Sequence, residues 1–186
     1  MKKLVVLSLS AALAVSICSC GNSSSTGESP SAPQESEAPA FNLSEYKEAA
    51  AAFQNETYQA CIILGNVGNY EFTYWEALGR LDENMVDRAF QWLSENSEET
   101  QETVAAKNEE IRSSYKELIL TDFGDDTEAA EIDNGIRALY DGYSALYNLV
   151  TQPSGSYSTF ASNLSELLNE IESANDSLLL FLPDSE

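Results

Sequence analysis

Site chemistry needs nucleophiles, bases, metal ligands or convergent charges, and this 186-residue chain supplies them unevenly: 31 acidic residues, 9 basic ones and no histidine. The missing imidazole removes serine and cysteine triads with a histidine base, zinc sites of the His-x-Glu type, and the Glu-x-x-His di-iron arrangement that helical bundles carry. An enzyme working with carboxylates alone would need a pair facing one cleft. No such pair stands out, so neither catalysis nor a cofactor is expected. Carboxylates do crowd together at Asp122, Asp125, Asp126, Glu128, Glu131 and Asp133, which invites a calcium loop. The EF-hand pattern is not met: Thr127 replaces its central glycine, Ala129 its aliphatic eighth residue and Asp133 its terminal glutamate. The cluster reads instead as a solvated turn whose acids favour a helix start. Gly65-Asn66-Val67-Gly68 lacks the Gly-Lys-Ser/Thr of a phosphate loop and the basic surroundings of an RNA-binding GxxG loop. It reads as a helix break.

The aromatic residues offer recognition. Tyr140, Tyr143 and Tyr147 recur at helical spacing, a stripe expected to be core with hydroxyls reaching the bundle edge. Tyr70, Phe72, Tyr74, Trp75, Phe90 and Trp92 are six of the chain's eighteen aromatics, concentrated in one short stretch. A pair of short helices there forms either a dense minicore or a surface with exposed rings, and exposed rings mark recognition sites. The candidate binding residues are Tyr74, Trp75 and Trp92, with Tyr147 and Tyr157 brought to the same end by the expected topology.

The N-terminus has the three parts of a secretory signal: Lys2 and Lys3, an apolar run from Leu4 to Ile17, then small residues. The run is too short to span a bilayer, which takes roughly 20 apolar residues. Ile17-Cys18-Ser19-Cys20 resembles the lipobox of bacterial lipoproteins, with Ser19 before and Gly21 after Cys20; Cys18 fits worse, because bulky Ile17 would stand where a small residue is required. The resemblance covers only about the first twenty residues. It implies a signal peptide over 1–19, lipid on Cys20, and display on the extracytoplasmic face of a membrane. With Cys20 acylated, Cys61 is the only free cysteine; its helical face also carries Phe53 and Leu64, so it is expected to be a buried small hydrophobe.

Charge narrows the partners further. Removing Lys2 and Lys3 leaves 7 basic against 31 acidic residues, a net charge of −24, and the seven are scattered. Nucleic acid is therefore excluded, since phosphate backbones need clustered Lys and Arg, and anionic headgroups are repelled. The expected partners are the membrane, through lipid alone, and an unknown protein, wall polymer or small ligand.

These residues must be positioned by a predominantly helical chain. Residues 20–40, rich in Ser, Pro and Glu, cannot bury enough surface to order themselves and read as a tether with a span of about 25 Å. From Phe41 to Gln152 there is no proline and apolar residues recur at three and four. Helices are expected near 98–121, 127–151 and 157–181, Asn42 with Glu45 resembles a capping box, and Pro153-Ser154-Gly155 breaks the chain. An unbroken first helix over 43–81 would stand about 58 Å tall against about 38 Å for its partners. A break at Gly65–Gly68 is therefore expected, with 69–95 folded as a helical pair turned near Asp82. The whole is an all-α domain over 41–186, an antiparallel up-down four-helix bundle with that pair as a cap. In that topology Asp122, Asp125, Asp126, Asp184 and Glu186 lie at the membrane end and the aromatic cap lies at the far end. Two functions compete: a surface-displayed binding module using the far end, and a structural or assembly accessory of an envelope complex using the bundle sides.

If lipid on Cys20 is the sole anchor, Cys20→Ala releases the protein from membranes or leaves an uncleaved precursor. Fractionation checks this, and a cleaved, unlipidated mutant still held on the membrane would refute it.

Overall fold

The computed structural model describes residues 41–183, so the signal peptide, Cys20, the tether, Asp184 and Glu186 lie outside the described residues. Five helices follow one another: α1 (Leu43–Leu78), α2 (Met85–Ser97), α3 (Gln101–Ile119), α4 (Thr127–Thr151) and α5 (Tyr157–Leu179). There is no strand among the described residues, and the alternating stretch from Tyr70 to Tyr74 is helical.

The helix starts are set by side chains that accept from otherwise unpaired backbone N–H groups. Asn42 accepts from the Ser44 and Glu45 amides and donates its own Nδ2 to Glu45 Oε1 at 2.8 Å. Thr100 and Thr103 cap α3 reciprocally, Asp126 accepts from the Ala129 amide at the start of α4, and Ser156 accepts from Thr159 at the start of α5. The three late helices occupy the segments that periodicity marks out.

The first helix corrects the expectation. It does not break at Gly65–Gly68; it runs for 36 residues, about 54 Å, and stops at Gly79, whose φ of 65° is the left-handed conformation that ends a helix. The two glycines serve close approach. A Cβ on Gly65 would lie 3.2 Å from Leu168 Cδ2, and one on Gly68 would lie 2.8 Å from Leu164 Cδ1 and 3.0 Å from Val150 Cγ1. Each glycine weakens the isolated helix by roughly 1 kcal/mol relative to alanine, and the packing of α5 against the bare backbone offsets it. Residues 69–78 thus remain part of α1 and do not form a separate cap with 79–95. The upper part of α1, which an unbroken helix would have left unpacked, is covered by α2. At about 20 Å and about 29 Å, α2 and α3 lie in succession and together match the height of α1.

Helix α1 packs against all four others, α4 and α5 pack against each other, and α3 also touches α4. Near its start, Lys47 is paired with Glu128 at 2.6 Å, and further along Gly68 meets Val150, so residue numbers rise together on α1 and α4. On α5 they fall. Gly65 and Gly68 meet Leu168 and Leu164, while Gly135 and Gly142 of α4 meet Leu178 and Ile171. Helix α3 also returns along α1, with Tyr115 beside Phe53 and Val104 near Ala60 and Leu64. Helix α4 supplies the centre of the core, where Ile132, Ile136, Leu139, Leu146 and Val150 are wholly buried. Each such side chain contributes about 1.5 to 3 kcal/mol relative to exposure.

The glycine contacts generate a test. At Gly135 a Cβ would lie 2.9 Å from Leu178 Cδ1 and 3.5 Å from the Leu178 Cα, and at Gly142 it would lie 2.7 Å from Ile171 Cγ1. Gly135→Val and Gly142→Val should each destabilise the domain by about 1 to 3 kcal/mol by forcing α4 and α5 apart, measured by urea denaturation.

Candidate functional site

The last turns of α1 carry two aromatic groups on opposite flanks. Tyr70 and Tyr74 face α2: Tyr70 is stacked on Trp92 with centroids 5.2 Å apart and on Tyr74 at 6.1 Å, and the Arg88 guanidinium lies 5.4 Å above the Tyr74 ring. Phe72 and Trp75 face the start of α5: Phe72 is stacked on Tyr157 at 4.9 Å, and Trp75 meets Tyr157 edge-on at 6.3 Å and Phe160 at 5.7 Å. Helical geometry accounts for the division, because 70 and 74 lie one turn apart on one flank while 72 and 75 point away from them.

The five candidate residues fall into different roles. Tyr74, Trp92 and Tyr157 are half-buried and show part of each ring to solvent. Trp75 is only 4% exposed and belongs to the core. Tyr147 is not part of the α1–α2 stack; its ring meets Tyr143 at 6.3 Å in a tyrosine ladder that continues to Tyr140 and, through a stack at 3.7 Å, to Tyr115. In that ladder Tyr143 is buried and donates its hydroxyl to Asn108 Oδ1 at 3.1 Å, the edge contact expected of the stripe. Leu78 and Leu81, 41% and 40% exposed, add apolar surface beside the α1–α2 flank. The surface brought together is Tyr70, Tyr74 and Trp92 with Arg88, edged by these leucines.

Cys61 and four residues of the acidic segment are engaged in structure. Cys61 is 2% exposed, and burial pushes its thiol up to about 12, so it is a core residue with Phe53 and Leu64. In the acidic segment Asp122 accepts from the Gly124 amide, Asp126 caps α4, Glu128 pairs with Lys47, and Asp133 pairs with Arg137 at 2.7 Å. No group of three or more carboxylate or thiol ligands converges on a point among the described residues.

Two features escaped the sequence reading. Glu71 is wholly buried on α1 and neither carboxyl oxygen has a hydrogen-bond partner. A signal for it existed, since Leu64, Val67, Glu71 and Trp75 recur at three and four. The other is an open groove of about 580 Å³ between α4 and α5, floored by Gly135, Ala138, Ser173 and Ala174 with Phe181 at one end and Glu131 and Glu170 on its rim. No described helix is long and apolar enough to cross a membrane. No family model, curated protein or solved structure matches the chain.

The contrast between the two tryptophans is testable. Trp75→Ala should cost about 3 to 5 kcal/mol of stability as a core truncation. Trp92→Ala, losing a half-exposed ring, should cost about 1 kcal/mol. Urea denaturation of both variants measures the difference, and equal losses would place Trp92 in the core as well.

Proposed function

We propose that the protein is a lipid-anchored binding module of a bacterial surface, engaging a protein, wall polymer or small ligand through the aromatic flank shared by α1 and α2. The observation that carries this reading is the partly buried Tyr70–Tyr74–Trp92 stack, bordered by exposed Leu78 and Leu81. Large, stiff rings of this kind supply contact area at low cost in side-chain entropy, which is why they recur as binding hot spots. The lipobox-like Ile17–Cys20 and the Ser/Pro-rich segment after it support the anchor. On this reading the helices trace one up-down bundle of four struts, the second divided into α2 and α3. The aromatic flank then stands toward the opposite end of α1 from the residue where the tether joins, about 40 to 47 Å away along the helix. Function by binding, without catalysis, is supported by the absence of histidine and by the engagement of the acidic segment in caps and ion pairs.

A second reading, a structural or assembly accessory of an envelope complex, is favoured by the α4–α5 groove. Its floor of small side chains would admit a partner helix on the side of the bundle. A photo-crosslinking residue separates the two when placed at position 92 or at position 138 in whole cells. We expect a discrete adduct from position 92, and Trp92→Ala should weaken the same partner by about 1 to 4 kcal/mol in the purified, folded protein. Adducts from position 138 with none from 92 would replace the first reading by the second.

A further inference from the structure

The groove between α4 and α5 exists because neither wall can fill it. Gly135 and Ala138 on α4 and Ser173, Ala174 and Ser177 on α5 are too small to close a space of about 580 Å³, and most of the surface lining it is apolar. The helices cannot move together to remove it. A Cβ on Gly135 would already lie 2.9 Å from Leu178 Cδ1, and one on Gly142 would lie 2.7 Å from Ile171 Cγ1. The groove is therefore fixed by a seam that is at contact distance beneath it.

Two charged residues line this space, Glu131 and Glu170, and among the described residues neither is ion-paired. Their positions follow from the same seam. Gly135 lies opposite Leu178 and Gly142 opposite Ile171, so α4 and α5 run antiparallel in a known register. In that register Glu131 stands at the Phe181 end of the groove and Glu170 stands level with Tyr143. Twelve residues of α4 separate the two levels, about 18 Å along the axis. The groove is thus an apolar trough with a carboxylate at each end, one on either wall.

Charge decides what can lie in it. Nucleic acid and an anionic lipid surface have the wrong sign. A second copy of the chain carries the same net −22, and no helix of this chain has two basic residues eleven or twelve apart to meet both carboxylates. Residues 21–40 bring Glu28, Glu35 and Glu37, no Lys or Arg and no large apolar side chain. A straight trough between two helices offers no backbone edge to a strand, whereas an amphipathic helix can lay one stripe of side chains along it. Positions i, i+4, i+7 and i+11 form such a stripe, about 16 Å long.

We propose that the α4–α5 groove docks a basic amphipathic helix of a partner protein, with large apolar side chains at the middle of the stripe and Lys or Arg at its ends. The apolar residues supply the bulk that Gly135, Ala138 and Ser173 lack, and the cations meet Glu131 and Glu170. The proposal rests on the second reading above, that the groove is a docking surface, and names the partner that reading leaves open.

Fluorescence anisotropy with two labelled helical peptides tests it on the full chain. One peptide carries Arg at i and i+11 and Leu at i+4 and i+7; the other carries Glu in place of both Arg. We expect the arginine peptide to bind at least about tenfold more tightly. Ala138→Trp fills the trough without changing charge and should weaken that binding at least about tenfold, as should Ser173→Leu if the tryptophan variant folds poorly. Glu131→Gln and Glu170→Gln should each weaken it roughly two- to fivefold, the range of an exposed pair. Glu102→Gln and Glu117→Gln on α3 remove the same charge and should leave it unchanged. Equal binding by the filled variants, or equal losses from the α3 variants, would overturn the proposal, because the peptide would then be held by net charge alone. So would equal binding of an arginine peptide broken by proline between its leucines, or a dimer of the full chain that Ala138→Trp abolishes, which would make the occupant a second copy. Trp92→Ala should leave the titration unchanged, since Trp92 lies outside the groove. Adducts from position 138 in cells that map to a segment without Lys or Arg would overturn the named partner while the docking reading stands.

Discussion

The structure depends on how closely α5 can lie against α1 and α4. Four backbone positions without side chains, Gly65 and Gly68 on one helix and Gly135 and Gly142 on the other, accept Leu164, Leu168, Ile171 and Leu178 from the third. Van der Waals attraction falls steeply with separation, so a gap of even half an ångström along this seam would forfeit much of the contact. With the three helices drawn together, the large side chains of α4 reach the centre, and α1 runs on past the end of α4, which Gly68 meets at Val150, while its last turns still meet the start of α5. The overhang is what α2 covers. The aromatic flank therefore exists because a glycine seam elsewhere lets one helix run long.

Charge works against this compactness. At a net −22 the chain repels itself, and among the described residues the ion pairs are few and partly exposed, each contributing little. Folding must then rest on apolar burial and on helix ends satisfied by Asn42, Thr100, Asp126 and Ser156. Acids placed at helix starts, such as Glu45 and Glu128, add favourable interactions with the helix dipoles, so part of the negative charge is located where it helps. Lys47 bridges two adjacent helix starts by pairing with Glu128.

Much of the fold was legible because α3, α4 and α5 obey a local rule: apolar residues at three and four, opened by a capping side chain and closed by a breaker. Gly65–Gly68 was misread for the opposite reason. A glycine's local effect is to weaken a helix, and what compensates is Leu164 and Leu168, about a hundred residues further along the chain. Of the candidate site, the aromatic density of 70–92 was visible, but its division was not. Trp75 and Trp92 look alike in sequence, and only the placement of α5 beside one and solvent beside the other separates them. Tyr147 was drawn into the site by a topological argument, whereas its own helical spacing with Tyr143 ties it to the ladder. Glu71 was overlooked because aromatic alternation from Tyr70 to Tyr74 competes with the helical period at the same positions.

The unbroken α1 also sets a mechanical property. It begins one residue beyond its cap Asn42, next to the point where the preceding chain enters, and ends in the aromatic flank, so one covalent rod joins the two ends of the domain. A pull between an anchor on one side and a partner gripping Tyr74 on the other would travel along the axis of a single helix, as tension in its own backbone. The seam with α5 would carry that load in shear over its whole length. A partner gripping Trp92 instead would pull α2 off sideways, peeling one ring stack at a time. Two attachment points on rings that both stack on Tyr70 would thus give very different resistance to force.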